Sequence, residues 1–569
     1  MKRLISVALV LLALGVAAFF FSKMRRFLPE RPRGAELAPA ETIFFAQFPN
    51  LRQTALRIPQ TDLYQIWLEP DMQAFLEKPR KKAPWMHAWS ARLDEIARVA
   101  PGEFFVAITS VSGPQPKFVG GFSFAGSQRN AETLAAHLRE QLLPESKIVS
   151  SFRENWHFFA SDSVLLDEVL ARFDGKPGAN LAADTDFQQT IAPLDVGQDL
   201  VIYGKPNAFS GQFDLLTGLG GSTKSNGPES LALATKLEGG KLHDTIFLRD
   251  GRPAQAGALS RQTLPLASPQ TLLYYVTDSA SLQPEAETGL LKTFLPSIPR
   301  MEKALAEKGL TWNDLPNAMG PEAGVMCEWP EDAALPTLLL ASEIRDSEKA
   351  RTFLEVLTNP PASESAWKAE DHDGISVLSA PPQLLSFVRP AVALTDRFAL
   401  LGTSSDAVTG ALPRTKPQTA VLGQTAAFQD VARFIPDQSA AFAYLDFQRF
   451  FERVYRMARP FITLSLAFSA EAGAEFDAGK LPPVESIAKH LSATVLNHSR
   501  IEGGTVIHSI GSLTIPQLLI GVGAGTAATG LPDLSGVIPG GGKEPTRSKS
   551  ATPAPKSTPI PTTPEKAIP

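Results

Sequence analysis

The sequence predicts an α+β protein: a duplicated domain of mainly antiparallel sheets packed by helices, set behind one N-terminal transmembrane helix. Three observations carry this. The first is a set of landmarks that recur in the same order. Leu37-Ala38-Pro39-Ala40-Glu41-Thr42-Ile43-Phe44-Phe45 is a turn followed by a strand, and Leu266-Ala267-Ser268-Pro269-Gln270-Thr271-Leu272-Leu273-Tyr274 repeats its pattern. Pro101-Gly102-Glu103 and Gly320-Pro321-Glu322 each open an apolar strand, and Glu238-Gly239-Gly240 and Glu502-Gly503-Gly504 each join two closing strands. Self-similarity at long period is settled before motifs are read, because it fixes the architecture. The second observation is the mixture of strand alternation and helical stripes, with several strands joined by short turns, which favours antiparallel pairing over a doubly wound parallel sheet. The third is the apolar run at the N-terminus.

That run, Leu4 to Ser22, is almost unbroken and follows Met1, Lys2 and Arg3. As a helix it is about 28 Å long, close to the roughly 30 Å hydrocarbon core of a bilayer. The competing expectation is a cleaved signal peptide, with Val16-Ala17-Ala18 as its best cleavage site. Three phenylalanines follow that site at once, and no cysteine follows for a lipid anchor. Lys23, Arg25 and Arg26 nearly cancel the charge on the other flank, so orientation rests on the short N-terminal tail, which favours domains outside the cytoplasm.

The elements of the first copy follow in order. Thr42–Phe48 reads as a strand. Leu63, Ile66 and Trp67, then Met72, Phe75 and Leu76, have helical spacing, and Pro70 suits a first helical turn. Trp85, Trp89, Leu93 and Ile96 form one apolar helix face. Phe104–Val111 and Lys117–Phe124 are strands flanking Ser112-Gly113-Pro114. A helix from Asn130 carries Leu134, Leu138 and Leu142 and stops at Pro144. Strands near Ile148–Phe152 and Trp156–Ala160 precede a helix through Val164, Leu165, Val169 and Leu170. Strands Leu200–Tyr203, Leu231–Leu237 and Leu242–Leu248 close the copy. Val325–Trp329, Thr337–Ala341 and a helix from Ser347 carrying Phe353, Leu354 and Leu357 restart the order.

The expected division is 1–33 anchor and juxtamembrane linker, 34–255 first repeat, 256–515 second repeat, 516–540 an apolar Gly-rich segment, and 541–569 a tail. The tail is rich in Pro, Thr, Ser and Lys and cannot offset its ordering entropy. The segment Ile515 to Leu531 is interrupted and short for a second span, and reads as a packed or loosely ordered C-terminal extension, with a membrane-associated segment as the alternative.

Bulk properties exclude some classes. A net charge of −5 over 569 residues implies no general nucleic-acid affinity. The 34 phenylalanines beside 6 tyrosines suit buried sheet faces. Cys327 is the only cysteine, so no intramolecular disulfide can form.

Each chemically suggestive residue can be compared with its counterpart in the other copy. Counting from the shared glutamate landmark sets Cys327 opposite Ile108, a core position, and buried cysteine behaves as a small hydrophobe. His137 falls opposite Phe353 and reads as a packing histidine. Glu370-Asp371-His372-Asp373-Gly374 reads as a hairpin turn before Ile375-Ser376-Val377-Leu378. Gly218-Leu219-Gly220-Gly221-Ser222-Thr223-Lys224-Ser225 lacks the glycine that a phosphate loop needs before its lysine. Gly521-Val522-Gly523-Ala524-Gly525 fails the dinucleotide pattern. No histidine pair has zinc-ligand spacing. Catalytic, cofactor and metal residues are therefore expected to be none.

The opening Leu37–Phe45, with the helix ending Pro70-Asp71-Met72-Gln73-Ala74-Phe75-Leu76, resembles the start of exported bacterial proteins of domain-of-unknown-function family 3352. The resemblance covers roughly residues 35–514, although the second opening lacks the Pro-acid-x-Gln-Ala-Phe-Leu part. It implies an envelope location and carries no site residues. The leading expectation is a non-enzymatic binding or scaffolding protein, tethered to the lipid bilayer through Leu4–Ser22, with an envelope protein or polymer as partner. A carrier of lipid or another apolar ligand in a Phe-lined cavity is second, and an enzyme without recognisable motif is third.

Overall fold

In the computed structural model, residues 33–82, 93–112, 116–142, 148–208, 228–251, 253–254, 259–279, 298–358, 367–381, 389–416, 421–434, 439–468, 476–514 and 517 are described. They form an α+β structure in which helices pack on one antiparallel sheet of 18 strands. The first half contributes β1 (Phe44–Phe48), β2 (Phe104–Ser110), β3 (Lys117–Ser123), β4 (Val149–Arg153), β5 (Trp156–Ala160), β6 (Leu200–Gly204), β7 (Ser230–Glu238) and β8 (Lys241–Arg249). The second contributes β9 (Thr271–Asp278), β10 (Glu322–Glu328), β11 (Thr337–Glu343), β12 (Lys368–His372), β13 (Ile375–Ser379), β14 (Ala391–Leu394), β15 (Phe398–Gly402), β16 (Ala441–Leu445), β17 (Thr494–Ile501) and β18 (Gly504–Gly511).

Hydrogen-bonded neighbours run β4-β5-β3-β2-β1-β6-β7-β8 in the first half. The second half runs β12-β13-β14-β15-β11-β10-β9-β16-β17-β18. The orders match strand for strand once the β12–β13 hairpin is set aside as an addition. Register matches as well. Phe44 faces Ile108 and Phe118 follows it, just as Leu273 faces Cys327 and Leu338 follows it.

Local chemistry repeats with the register. Asp162 and Ser404 cap the helices after β5 and β15, accepting from the backbone N–H groups of Leu165 and Ala407. Asp184 and Thr425 cap the next helices, accepting from Phe187 and Phe428. Ser161 and Thr403 each accept the N–H of the second residue of the facing strand, Phe118 at 3.2 Å and Leu338 at 2.9 Å. The two glutamate landmarks share a role too. Glu103 accepts the Gly34 N–H and the Gln47 amide, both at 2.6 Å, while Glu322 accepts from Ser260 and Gln262. Each buckles its half's entry segment onto the sheet.

One expectation changes. The halves do not carry separate sheets, because β8 pairs with β18 over Leu242–Arg249 and Gly504–Gly511. An outer strand edge leaves its N–H and C=O groups unpaired, and here each half closes the other's edge. Leu231, Ile246, Leu248 and Ile507 form a small buried cluster across this junction.

The helices used below are numbered in chain order as α1 (Asp62–Leu68), α2 (Pro70–Phe75), α3 (Glu77–Lys82), α4 (Thr185–Ile191), α5 (Ala426–Ala432), α6 (Phe447–Phe468) and α7 (Val484–Ala488). Helices α1 to α3 form an arm that leaves the first half at the β7–β8 turn, where Asp62 N–H donates to Gly240 O at 2.9 Å. It then grips the second half. Ser512 and Ser486 donate to Asp62 and Asp71, each at 2.5 Å, and Phe75 stacks on Phe476 at 5.1 Å. Lys489 and His490 hold Glu69 at 2.9 and 2.6 Å, and Lys480 holds Glu77 at 2.7 Å. Those hydrogen bonds from Lys489 and His490 pull the Glu69 carboxyl below its ordinary range.

Among the described residues no helix is long and apolar enough to cross a membrane. Leu4–Ser22, Gly218–Ser225, Gly521–Gly525, the 516–540 segment apart from residue 517, and the 541–569 tail lie outside the described residues.

Candidate functional site: a cleft walled by an amphipathic helix

Strand β16 ends at Leu445, and Asp446 turns the chain into α6, accepting the Arg449 N–H at 3.1 Å. Helix α6 is 22 residues long, with Phe447 buried at its start and Pro460 inside it. Its inner face is aromatic. Phe451 stacks on Tyr455 at 5.2 Å, and the Tyr455 hydroxyl donates to Pro482 O at 2.5 Å. Its other side walls an open cleft of about 820 Å³. Leu272, Ala427 and Leu491–Ala493 line the cleft, and Glu328–Glu331 after β10 face α6.

Among the described residues, most of the charged groups around it are paired with one another, Glu452 apart. Arg449 meets Asp446 at 3.1 Å, Arg453 meets Glu331 at 3.0 Å, and Arg414 meets Glu328 at 3.2 Å. Lys241, reaching over from the first half, holds Asp430 at 2.8 Å. Its hydrogen bond pulls the Asp430 carboxyl below its usual range. A carboxylate neutralised in this way is a poor general base, and the cleft presents a balanced polar surface suited to holding a polar chain segment.

Matching register shows how the two halves differ at this place. Tyr203 of β6 occupies the place that Tyr444 has in β16. In the first half the Tyr203 hydroxyl donates to Asp186 of α4 at 2.8 Å, and Arg249 and Ser230 bind the same carboxylate at 2.6 and 3.0 Å. Burial, followed by that bond to Asp186, pushes the Tyr203 phenol far above its ordinary value. The position matching Asp186 in α5 is Ala427, which is exposed in the cleft. A methyl group replaces the hub of the network, and space remains.

Helix α6 was not anticipated from sequence. Its signal was Phe447, Phe451 and Tyr455 at four-residue spacing, interleaved with Arg449, Arg453 and Arg456.

The residues weighed from sequence do not converge here. Cys327 lies between Leu273 and Leu338 on neighbouring strands, and burial, with Glu328 adding to it, pushes its thiol up to about 11. His137 is half-buried, with Nδ1 3.8 Å from Glu95. Asp373 and Gly374 form the β12–β13 turn with φ of 54° and 84°. Among the described residues no group of three or more potential metal ligands assembles. An apolar cavity of about 100 Å³ lies among Met301, Trp312, Leu315, Phe353, Leu357 and Val392. That is smaller than the several hundred Å³ of a ligand carrier.

No curated protein matches the chain. Two solved structures, titled "Structure of crystal form III of TP0453" and "Structure of crystal form I of TP0453", align at 11% and 12% identity. The first alignment covers 39% of this chain and 82% of the other, with a TM-score of 0.24; the second covers 40% and 81%, with a TM-score of 0.22. Likeness at that level carries no argument about fold or function. A family model described as "Protein of unknown function (DUF3352)" matches residues 314–479, which include β10 to β16 and α6 but not the opening at Leu37–Leu76. The chain is thus similar to the DUF3352 family over residues 314–479.

Proposed function

We propose that this protein is a membrane-tethered, extracytoplasmic binding or scaffolding protein without catalysis, built by tandem duplication of one α+β unit. The observation that carries the reading is the contrast between the matched sites. The first half fills the position with the Asp186 network, while the second leaves an open cleft of about 820 Å³ whose carboxylates are mostly held in ion pairs. Such a surface holds a partner and offers no activated nucleophile. The tether is Leu4–Ser22, followed by a linker to residue 33, and the partner class is an envelope protein or polymer. A net charge of −5 gives no support to a nucleic-acid partner.

Two measurements test this reading. A reporter fused after Arg33 should be active only in its exported form, and the mature chain should retain Met1–Ser22. Soluble protein beginning at Phe19 would instead establish cleavage. Affinity capture from envelope fractions, with the full chain and with residues 541–569 removed, should return the same partner from both. Ala427→Trp, which puts a bulky ring into the cleft, should lose it while the fold is kept. Capture that survives Ala427→Trp would move the binding site elsewhere.

A further inference from the structure

The outer end of α6 is exposed in an unusual way. Met457, Phe461, Ile462, Leu464 and Phe468 all face solvent, and Phe461 and Phe468 are 70% and 82% exposed. Scattered apolar residues on a surface need no account, but five on the last three turns of one helix do. Residues 460–468 carry no charge, and no acidic residue occurs from Arg453 to Phe468; the next are Glu471 and Glu475, beyond the tip.

Cations collect at the base of this end. Arg456, 3.9 Å from the exposed Glu485, and Arg459 are exposed one turn below it. The short turn Ala478–Lys480 packs on α6, and its Lys480 pairs with Glu77 at the start of α3. Helix α3 reads Glu77-Lys78-Pro79-Arg80-Lys81-Lys82, with Lys78 and Lys81 exposed. Through the Lys480–Glu77 pair the arm of the first half links its basic run, with Lys81 also 2.9 Å from Glu77, to the turn that packs on α6.

We propose that this end of α6 docks on the surface of an anionic lipid bilayer, with Phe461, Leu464 and Phe468 entering the acyl boundary and the collar of Arg456, Arg459, Lys78 and Lys81 meeting lipid phosphates. A helix that is cationic along one stretch and apolar beside it has the chemistry of an interfacial element. Reach is adequate. Only the ten residues 23–32 separate the apolar run from the folded body, an extended length of at most about 35 Å. The proposal rests on the tethered reading for that proximity alone. Docking would hold the cleft, whose wall is the same helix, at a fixed height above the membrane.

The test uses the full chain reconstituted in vesicles, with Cys327→Val as background and a single environment-sensitive label on Leu464→Cys or Phe468→Cys. A label on Val196→Cys, at a position 90% exposed in the first half, is the control. In phosphatidylglycerol-containing vesicles the two tip labels should shift to shorter wavelength and lose intensity to brominated lipid. The control label should do neither. Phosphatidylcholine vesicles should give a weaker response, and Arg456→Glu with Arg459→Glu should remove the difference between the two lipids. Tip labels that stay open to aqueous iodide in both vesicles would overturn the proposal. So would a wavelength shift without lipid quenching, whether accompanied by cross-links to a second copy or by cross-links to residues 516–531 of the same chain. Flotation of the same samples separates the two readings. A chain that floats while its tip remains in water defeats the docking and leaves the tether standing. A chain that floats only on anionic vesicles, and only with an intact tip, does the reverse.

Discussion

Thr245 and His508 face each other across the ladder that joins the two half-sheets, with the hydroxyl 3.2 Å from Nδ1 of the ring. Counted from the tips of their own hairpins, Gly239-Gly240 and Glu502-Gly503, they are equivalent positions. The junction therefore behaves as a two-fold contact, in which a strand meets its own counterpart antiparallel. Such isologous pairing is what a dimer of one unit would make through its last strand. Nearby, Asp244 is buried and accepts hydroxyl bonds from Thr235 at 2.6 Å and from Thr514, and burial pushes its carboxyl above the ordinary range.

The first half made alone, as residues 34–255, should therefore pair with itself. It would expose the β8 edge from Leu242 to Arg249, and a second copy could supply the same edge that β18 supplies in the whole chain. Sedimentation should find a dimer, and Thr245→Pro should shift it towards monomer or aggregate. A stable monomer with native-like hydrogen-exchange protection in β8 would argue against this.

Ile507 tests whether the junction couples the halves. It is buried at 1% exposure among Leu231, Ile246 and Leu248 of the first half. Ile507→Ala should cost roughly 2–4 kcal/mol, the usual range for a large-to-small change in a packed site. The parent protein should unfold in one denaturant transition, and the variant should show two as the halves lose their common sheet. A single transition displaced by less than about 0.5 kcal/mol would mean that the cluster bears little of the coupling.

Much of this was legible from local patterns. The landmark glutamates, the Asp373-Gly374 turn, the Pro70 helix start and most strands follow from chemistry that acts over a few residues. The joining of the sheets was not, because β8 and β18 read as ordinary amphipathic strands. Alternation tells which face of a strand is buried, but not whether its edge is paired. The cleft was hidden for a related reason. It arises where Ala427 stands in place of an aspartate, and that substitution acquires meaning only once register aligns α4 with α5. Helix α6 did carry a visible stripe, but a stripe does not say how much of a helix the rest of the chain will cover.

Cys327 and His137 should tolerate replacement. Cys327→Val and His137→Leu keep side-chain volume near that of the sites, where changes typically cost less than about 1.5 kcal/mol. With its thiol pushed up to about 11, Cys327 should also react with alkylating reagents at pH 7 far more slowly than a free thiol. Loss of partner capture in a fully folded Cys327→Val or His137→Leu variant would assign the residue to the binding surface. Rapid alkylation of the native chain would contradict the packing of Cys327.

His157 should make stability fall in mild acid. It is 5% exposed, sits among Phe122, Phe152 and Phe159, and its Nδ1 is buried without a hydrogen-bond partner among the described residues. Burial lowers its pKa to about 4, with Glu132 opposing weakly. In the unfolded chain the ring titrates near its ordinary value of about 6.5. Above that pH neither state binds the proton, and the folded protein has its full stability. Between about 6.5 and 4 the unfolded chain takes up a proton that the folded chain refuses, so stability drops as pH falls. The loss approaches roughly 3 kcal/mol by pH 4 and then levels off. His157→Phe replaces the ring by one that suits its aromatic neighbours and cannot titrate. Denaturation midpoints of parent and variant should lie close together at pH 7.5 and separate in favour of the variant by pH 4.5. Parallel profiles over that interval would show that the buried ring is protonated as readily in the folded protein as in the unfolded one, and would place it in contact with water.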